Sequence, residues 1–325
     1  MEVKTTNALM KYLRDKHNIN IGGSKDKLNL VNMGYYHGYK GYRYIKNPSN
    51  KINLNNFDEY CSIIKFDSEI KSILYPQIMQ IETITKNIVL QLLVEEYRTD
   101  EFNVIFEKGM TDYKNYPNDP DEYKNKMKHR LKVQNDIYTA LSKNYSNNNS
   151  IVNHFYSADR SVPIWGIFEI IYLGNFADLI RSLELKTRLK ISKKLGVNIA
   201  FDSNGKFPEK IIYAIKSLRN AIAHNAVVFD VRFKDAKINK KLCQYLENET
   251  GCIDINFDTI TDYIILIVFL LKNYGLTKTE LSRLVIDFEK CVEDFRTKIP
   301  INIFNQIVYT NNVSKLKFLK LYIKK

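Results

Sequence analysis

Cysteine, glycine, proline and tryptophan are all scarce in this 325-residue chain. Its four cysteines, Cys61, Cys243, Cys252 and Cys291, form no CxxC pair. That argues against a zinc site and makes reduced cytosolic thiols the expectation. Twelve Gly and seven Pro supply too few turns for a fold of many short strands, which favours helices. No apolar run is long enough to span a bilayer. The longest, Tyr263 to Leu271, reads as a buried helix. The start, Met1-Glu2-Val3-Lys4, lacks an apolar signal region. The expectation is a cytoplasmic protein with no membrane segment, no metal and no cofactor.

What is abundant is hydrophobic residues, aromatics and positive charge. A hydrophobic content of 45% excludes a mainly disordered chain. The length suffices for one large or two modest domains with a real core. A net charge of +13 exceeds what solubility requires and points to an anionic partner, nucleic acid before membrane. The 22 Tyr and 17 Phe offer faces on which unpaired bases can stack, although most aromatics serve the core.

The most informative stretch is Arg219-Asn220-Ala221-Ile222-Ala223-His224. Ile211, Ile212, Ile215, Leu218 and Ile222 recur at helical spacing, so one face of this segment is core. Asn220 and His224 lie four apart, about 40° from each other around a helix. The long side chain of Arg219 swings its guanidinium towards the same spot. Guanidinium, amide and imidazole converging on one point suit a phosphodiester: Arg holds phosphate oxygens in pairs, and His moves protons near neutral pH. That chemistry needs no metal. The plainer alternative is a helix end with His224 as a C-terminal cation and Asn225 as a cap.

Elsewhere, residues 5–20 and 25–33 read as helices that lead into a Tyr-rich cluster. Residues 34–44 hold five Tyr, three Gly, His37, Lys40 and Arg43. They form either a glycine-punctuated turn packed on the bundle or a single-stranded RNA platform built from Tyr36, His37, Tyr39, Lys40, Tyr42 and Arg43. The longest helical pattern runs from Phe57 to Arg98, with Pro76 in its middle and Glu82–Lys86 as an i,i+4 pair. Residues 112–121 read as a loop, 124–143 as a basic helix and 144–150 as an Asn-rich linker. Trp165 and Glu169 stand four apart before Gly174. Arg181, Lys186, Arg188, Lys190, Lys193 and Lys194 then form a basic run, either a solvated face or an RNA contact. Val227 to Val231 suggests a short extended segment, and 237–258 reads as irregular. Helices are expected over 259–273 and 278–297, and an amphipathic basic helix over 313–325.

Three ordered blocks resemble the Abi family of bacterial abortive-infection proteins, of the AbiD/AbiF type, within the wider class of HEPN-domain ribonucleases. They are Tyr35-Tyr36 to Gly41-Tyr42, Pro163-x-Trp165-x-x-x-Glu169-x-x-x-x-Gly174, and Leu218-Arg219-Asn220-Ala221-Ile222-Ala223-His224-Asn225 trailed by Val228-Phe229-Asp230. Phe66-Asp67 and Ile81-Glu82 on the long helix also match. The likeness covers residues 30–232. Lys86 stands where the family more often has Arg, and His37-Gly38 where an Arg-Leu pair is commoner.

The resemblance implies a metal-independent endoribonuclease working as a homodimer. It also implies a toxin-like antiphage effector, restrained by a structured non-coding RNA as in toxin–antitoxin pairs. RNA carries its own nucleophile, the 2′-hydroxyl, so cleavage leaves a 2′,3′-cyclic phosphate and a 5′-hydroxyl. His224 would move the proton, Arg219 hold the phosphate charge, and Asn220 orient either. Glu82 and Glu169 are candidates to fix the imidazole, or else they serve an ion pair and helix packing. Lys86 joins the candidate RNA contacts. The alternative is a non-catalytic RNA-binding or interaction protein of a defence complex. The expected architecture is an all-α, HEPN-like helical bundle over 57–232. An N-terminal segment, 1–56, and a C-terminal helical region, 233–325, pack on it. At most a few short strands are expected, at 25–45 and 225–235.

Overall fold

The computed structural model describes residues 4–234 and 238–325. Residues 1–3 and 235–237, which include parts of the stretches read above, lie outside the described residues. Every regular element among the described residues is helical, as the shortage of turn formers requires. Extended pairing is confined to the single bridges Asn20–Asn56 and Tyr44–Lys51. The short strands expected at 25–45 and 225–235 are not formed in the described part of either stretch.

Among the described residues fifteen α-helices follow one another: α1 (Thr6–His17), α2 (Gly23–Met33), α3 (Phe57–Tyr97), α4 (Phe102–Gly109), α5 (Pro120–Ser146), α6 (Ser150–Ser157), α7 (Ile164–Ile170), α8 (Leu173–Ser182), α9 (Leu185–Lys194), α10 (Phe207–Ala223), α11 (Lys240–Thr250), α12 (Ile260–Asn273), α13 (Lys278–Arg296), α14 (Ile301–Val308) and α15 (Asn312–Lys324). The chain divides into two compact units. Residues 1–78 and 217–325 form the first, and residues 79–216 the second. The divisions fall inside α3, just past Pro76, and inside α10.

In the first unit α12 is the core element. Every residue from Ile260 to Leu271 is buried, as the apolar run demanded, and α11, α13 and α15 pack around it. Each such aliphatic side chain contributes about 1.5–3 kcal/mol on burial. No helix among the described residues is long and apolar enough to cross a membrane. Phe66 of α3 stacks on Phe295 of α13 at 4.1 Å. The basic tail is indeed helical, but one face of α15 is internal. Lys315 is 1% exposed and pairs with the fully buried Asp262 at 2.7 Å. Asp262 also accepts from the Asn256 and Phe257 amides, and Lys315 donates to the Asp254 carbonyl. These bonds order residues 254–257. The part of 237–258 expected to be irregular begins instead with α11. Asn239 caps its first turn, and Gly251, at φ 73°, ends it.

The second unit centres on α5, against which α6, α7 and α8 pack. Phe168 and Phe176 meet edge to face at 5.1 Å in its core. Asp178 of α8 takes Lys132 of α5 at 2.6 Å and the Tyr213 hydroxyl of α10. Burial works to raise its pKa, but these bonds prevail and hold it below the usual carboxylate range.

Candidate active site

Helix α10 is fixed at both ends. At its start the buried Asp202 carboxylate accepts from the Lys206 and Phe207 amides, filling orphan donors of the first turn. At its end the chain turns out of the helix in a complete Schellman motif. The Ala226 amide donates to the Ala221 carbonyl at 2.8 Å, and the Asn225 amide to the Ile222 carbonyl at 3.0 Å. Asn225 occupies the left-handed position at φ 51°, which Asn tolerates better than other non-glycine residues. The capping role read for Asn225 is therefore real.

His224 stands at this cap, exposed to solvent, one helical turn after Asn220. Arg219 and Asn220 are half-buried, and Arg219 Nη1 donates to Asn220 Oδ1 at 3.4 Å. Nothing soft follows His224. The Val228 and Phe229 amides each donate to Asp67 Oδ1 at 2.7 Å. Asp67 lies on α3 and is fully buried; it also accepts from the Tyr42 hydroxyl at 2.6 Å and pairs with Lys71 at 2.7 Å. Burial and this carboxylate together push the Tyr42 hydroxyl well above its ordinary pKa. The residues from 227 to 231, expected to be extended, pair with no strand; Val228 to Val231 close a turn, with Val231 at φ 60°. A carboxylate, not a neighbouring strand, satisfies the Val228 and Phe229 donors.

Lys71 continues the network by donating to Asn225 Oδ1 at 2.9 Å, and Asn225 Nδ2 lies 3.1 Å from His37 Nε2. An ammonium only donates, so the Asn225 oxygen faces Lys71 and its NH2 faces the imidazole. His37 Nε2 is then the acceptor, which places the ring proton on Nδ1. One turn further on, Arg232 grips Asp230 with two nitrogens. It also donates to the Gly41 and Tyr44 carbonyls, each at 2.7 Å. The Tyr-rich block, Asp67 and the segment after His224 thus form one hydrogen-bonded body.

Within the Tyr-rich block the expected glycine-punctuated turn is a π-helical segment, Gly34–Lys40. Tyr39 and Tyr42 are internal, 2% exposed each, with Tyr42 stacked on Phe229. Tyr36 and His37 face solvent, Lys40 and Arg43 partly so, and Lys40 lies 4.5 Å from the Tyr36 ring centre. The packing alternative holds for the buried pair, leaving four residues of the block able to meet a ligand.

Glu82, Lys86, Glu169 and the basic run belong to the second unit. Lys86 pairs with Glu82 at 3.1 Å and points towards the Ile171 carbonyl, so both side chains are largely sequestered. Glu169 is exposed on α7, on the same face as Trp165. Lys186 and Lys190 both pair with Glu96, and Arg181 with Glu209. Arg188 is buried, 4% exposed, and holds Asp112 at 3.0 Å, so this member of the run is a core cation. Lys193 and Lys194 are exposed.

Sequence reasoning passed over Lys71 as a positioning residue and gave Asp67 no role. A signal existed: Asp67 falls on the buried stripe Ile63, Ile70 and Leu74, where a charge demands partners. Among the described residues no group of three or more His, Cys, Asp or Glu is placed to hold a metal.

The segment these contacts unite, from the Tyr-rich block to Asp230, coincides with a family model. The model for Abi-like proteins matches residues 29–230. The chain belongs to that family. Neither curated proteins nor solved structures give a match.

Proposed function

We propose that the chain is a HEPN-class endoribonuclease that acts in abortive infection and cleaves RNA without a metal. Membership of the Abi-like family supports the abortive-infection role. The observation that carries the chemistry is an exposed imidazole on a rigid mount. His224 faces solvent, while the cap beneath it is locked by the Schellman bonds and by the Asp67–Lys71–Asn225 network. Catalytic groups gain most from being held in place before the substrate arrives.

In this reading Arg219 takes the phosphate oxygens and Asn220 steers the guanidinium through the contact between them. His224 removes the 2′-hydroxyl proton. That oxygen attacks phosphorus, the 5′-oxygen leaves with a proton, and the products are a 2′,3′-cyclic phosphate and a 5′-hydroxyl. One imidazole cannot accept and donate in the same step. A two-fold dimer whose axis passes beside His224 supplies the second group as a second copy of that residue, since only residues at the axis of an isologous interface meet their own copies. A structured RNA on the basic surface restrains the enzyme between infections.

The test is cleavage of RNA in EDTA by the wild type and by His224→Ala. The variant should be slower by about 100-fold or more, the scale of general acid–base catalysis. The wild-type products should carry the cyclic phosphate. A variant that cleaves at the wild-type rate overturns the assignment.

A further inference from the structure

The second unit carries a surface the sequence did not announce. Tyr138 and Tyr145 on α5, Tyr156 on α6, Trp165 on α7 and Tyr172 at the start of α8 are all exposed, Trp165 by 42% and Tyr172 by 68%. Three of them make ring contacts here. Tyr145 meets Tyr156 edge to face at 5.7 Å, and the half-buried Phe155 meets Trp165 at 5.5 Å. Gly166 of α7 sits close against its neighbours. A Cβ there would stand 3.0 Å from side-chain methyls of Ile151 and of Val162, so a larger residue would ask those methyls to give way.

Cations are interleaved with the rings. The Arg160 guanidinium lies 5.3 Å from the Phe155 ring centre, and Lys143 Nζ lies 3.5 Å from the Tyr172 hydroxyl. Two acids, Asp159 in the turn after α6 and Glu169 on α7, are exposed nearby in the chain, so phosphates would be gripped at Lys143 and Arg160 rather than along the whole surface. Exposed Tyr and Trp also occur where proteins meet, so the cations beside the rings and the charge of the chain decide for an anionic strand. This face is aromatic, rimmed by hydroxyls and cations, in a chain of net charge +13. Aromatic faces stack on any base, and nearby cations hold the backbone.

We infer that this surface is a stacking platform for single-stranded RNA, with bases laid on Trp165, Tyr156, Tyr145 and Tyr172, and Lys143 and Arg160 on phosphates. It rests on RNA being the ligand under the reading above. It moves the main base-stacking surface from the Tyr-rich block, where two of the rings are internal, to the second unit.

Trp165 is the only tryptophan of the chain, so its fluorescence reports this surface alone. The probe is a 2′-O-methyl RNA of about 12 nucleotides, within the site size of such grooves. It lacks the nucleophile and cannot be cleaved, which keeps the result independent of the His224→Ala assay. The control is an abasic strand carrying the same phosphates. The base-bearing strand should quench Trp165 and the abasic strand should not. Tyr156→Ala and Tyr172→Ala should each weaken binding by about 5-fold or more, the usual worth of one stacked base. Binding measured by anisotropy without a change in Trp165 fluorescence overturns the proposal, as does equal quenching by the abasic strand. A signal that follows protein concentration instead of added strand overturns it too, in favour of a second copy of the chain on this face.

Discussion

Asp67 shows what one carboxylate can organise. It has no exposed surface and accepts from two backbone amides and a tyrosine hydroxyl while facing an ammonium. Removing one member of a buried charge pair costs about 3–5 kcal/mol, because the remaining charge stays desolvated. Asp67→Asn should therefore lower the unfolding free energy by about that amount in urea denaturation. The same variant should lose RNA cleavage even where it is folded, since the mount of His224 depends on this group. A cost under about 1 kcal/mol, that of an ordinary hydrogen bond, would show that the network is not maintained in solution. The residue was legible in part. Its place on the apolar stripe of α3 announced a buried charge, but its partners 161 and 162 positions away did not follow from spacing.

At the scale of elements, the π-helical segment Gly34–Lys40 sets which rings of the Tyr-rich block go inside. Its extra residue per turn is tolerated because Gly38 has no side chain. A Cβ there would stand 2.7 Å from the Met33 carbonyl oxygen. Gly38→Ala should force the turn to rewind and cost about 1–3 kcal/mol, the usual scale of overpacking. Thermal melting and the accessibility of His37 to diethyl pyrocarbonate would record the change; an unaltered melting point would deny the strain. The long periodic helices, α3, α12 and α13, were readable to within a residue or two because their buried faces repeat at 3.6. The π turn was not readable, since glycines and tyrosines in alternation suit several backbones. Helix α11 was missed although Leu242 and Leu246 stand four apart before Gly251, because its polar residues outnumber that stripe. The site residues were readable as types at a spacing. The support beneath them was not, because it comes from distant sequence.

For the whole molecule, two histidines tie stability to pH. Burial lowers the pKa of His17, and the cations Arg43, Lys51 and Lys40 lower it further. Burial likewise lowers His129, followed by Arg181, with Asp178 opposing and Lys126 and Lys132 adding to the effect. The unfolded chain binds these protons near 6.5, the folded chain only at lower pH. Their contribution is thus present above the unfolded value and is lost as pH falls below it. The melting temperature should drop between about pH 7.5 and pH 5.5, and by less in His17→Gln/His129→Gln. Identical drops in the two proteins would contradict this.

The bonds that brace His224 join Asp67 to amides 161 and 162 residues later in the chain. At roughly 5–20 residues per second, a ribosome needs about 8–32 s to travel from one to the other. Through that interval, and until residue 229 has left the exit tunnel, the nascent chain holds a carboxylate with no loop to hold. Synthesis itself therefore sets the moment at which the His224 cap can form. A message cut before that codon yields polypeptide with the helix of Asp67 but no braced imidazole. For a protein proposed to destroy RNA, the site cannot assemble until the ribosome has passed residue 229 by the length of its exit tunnel.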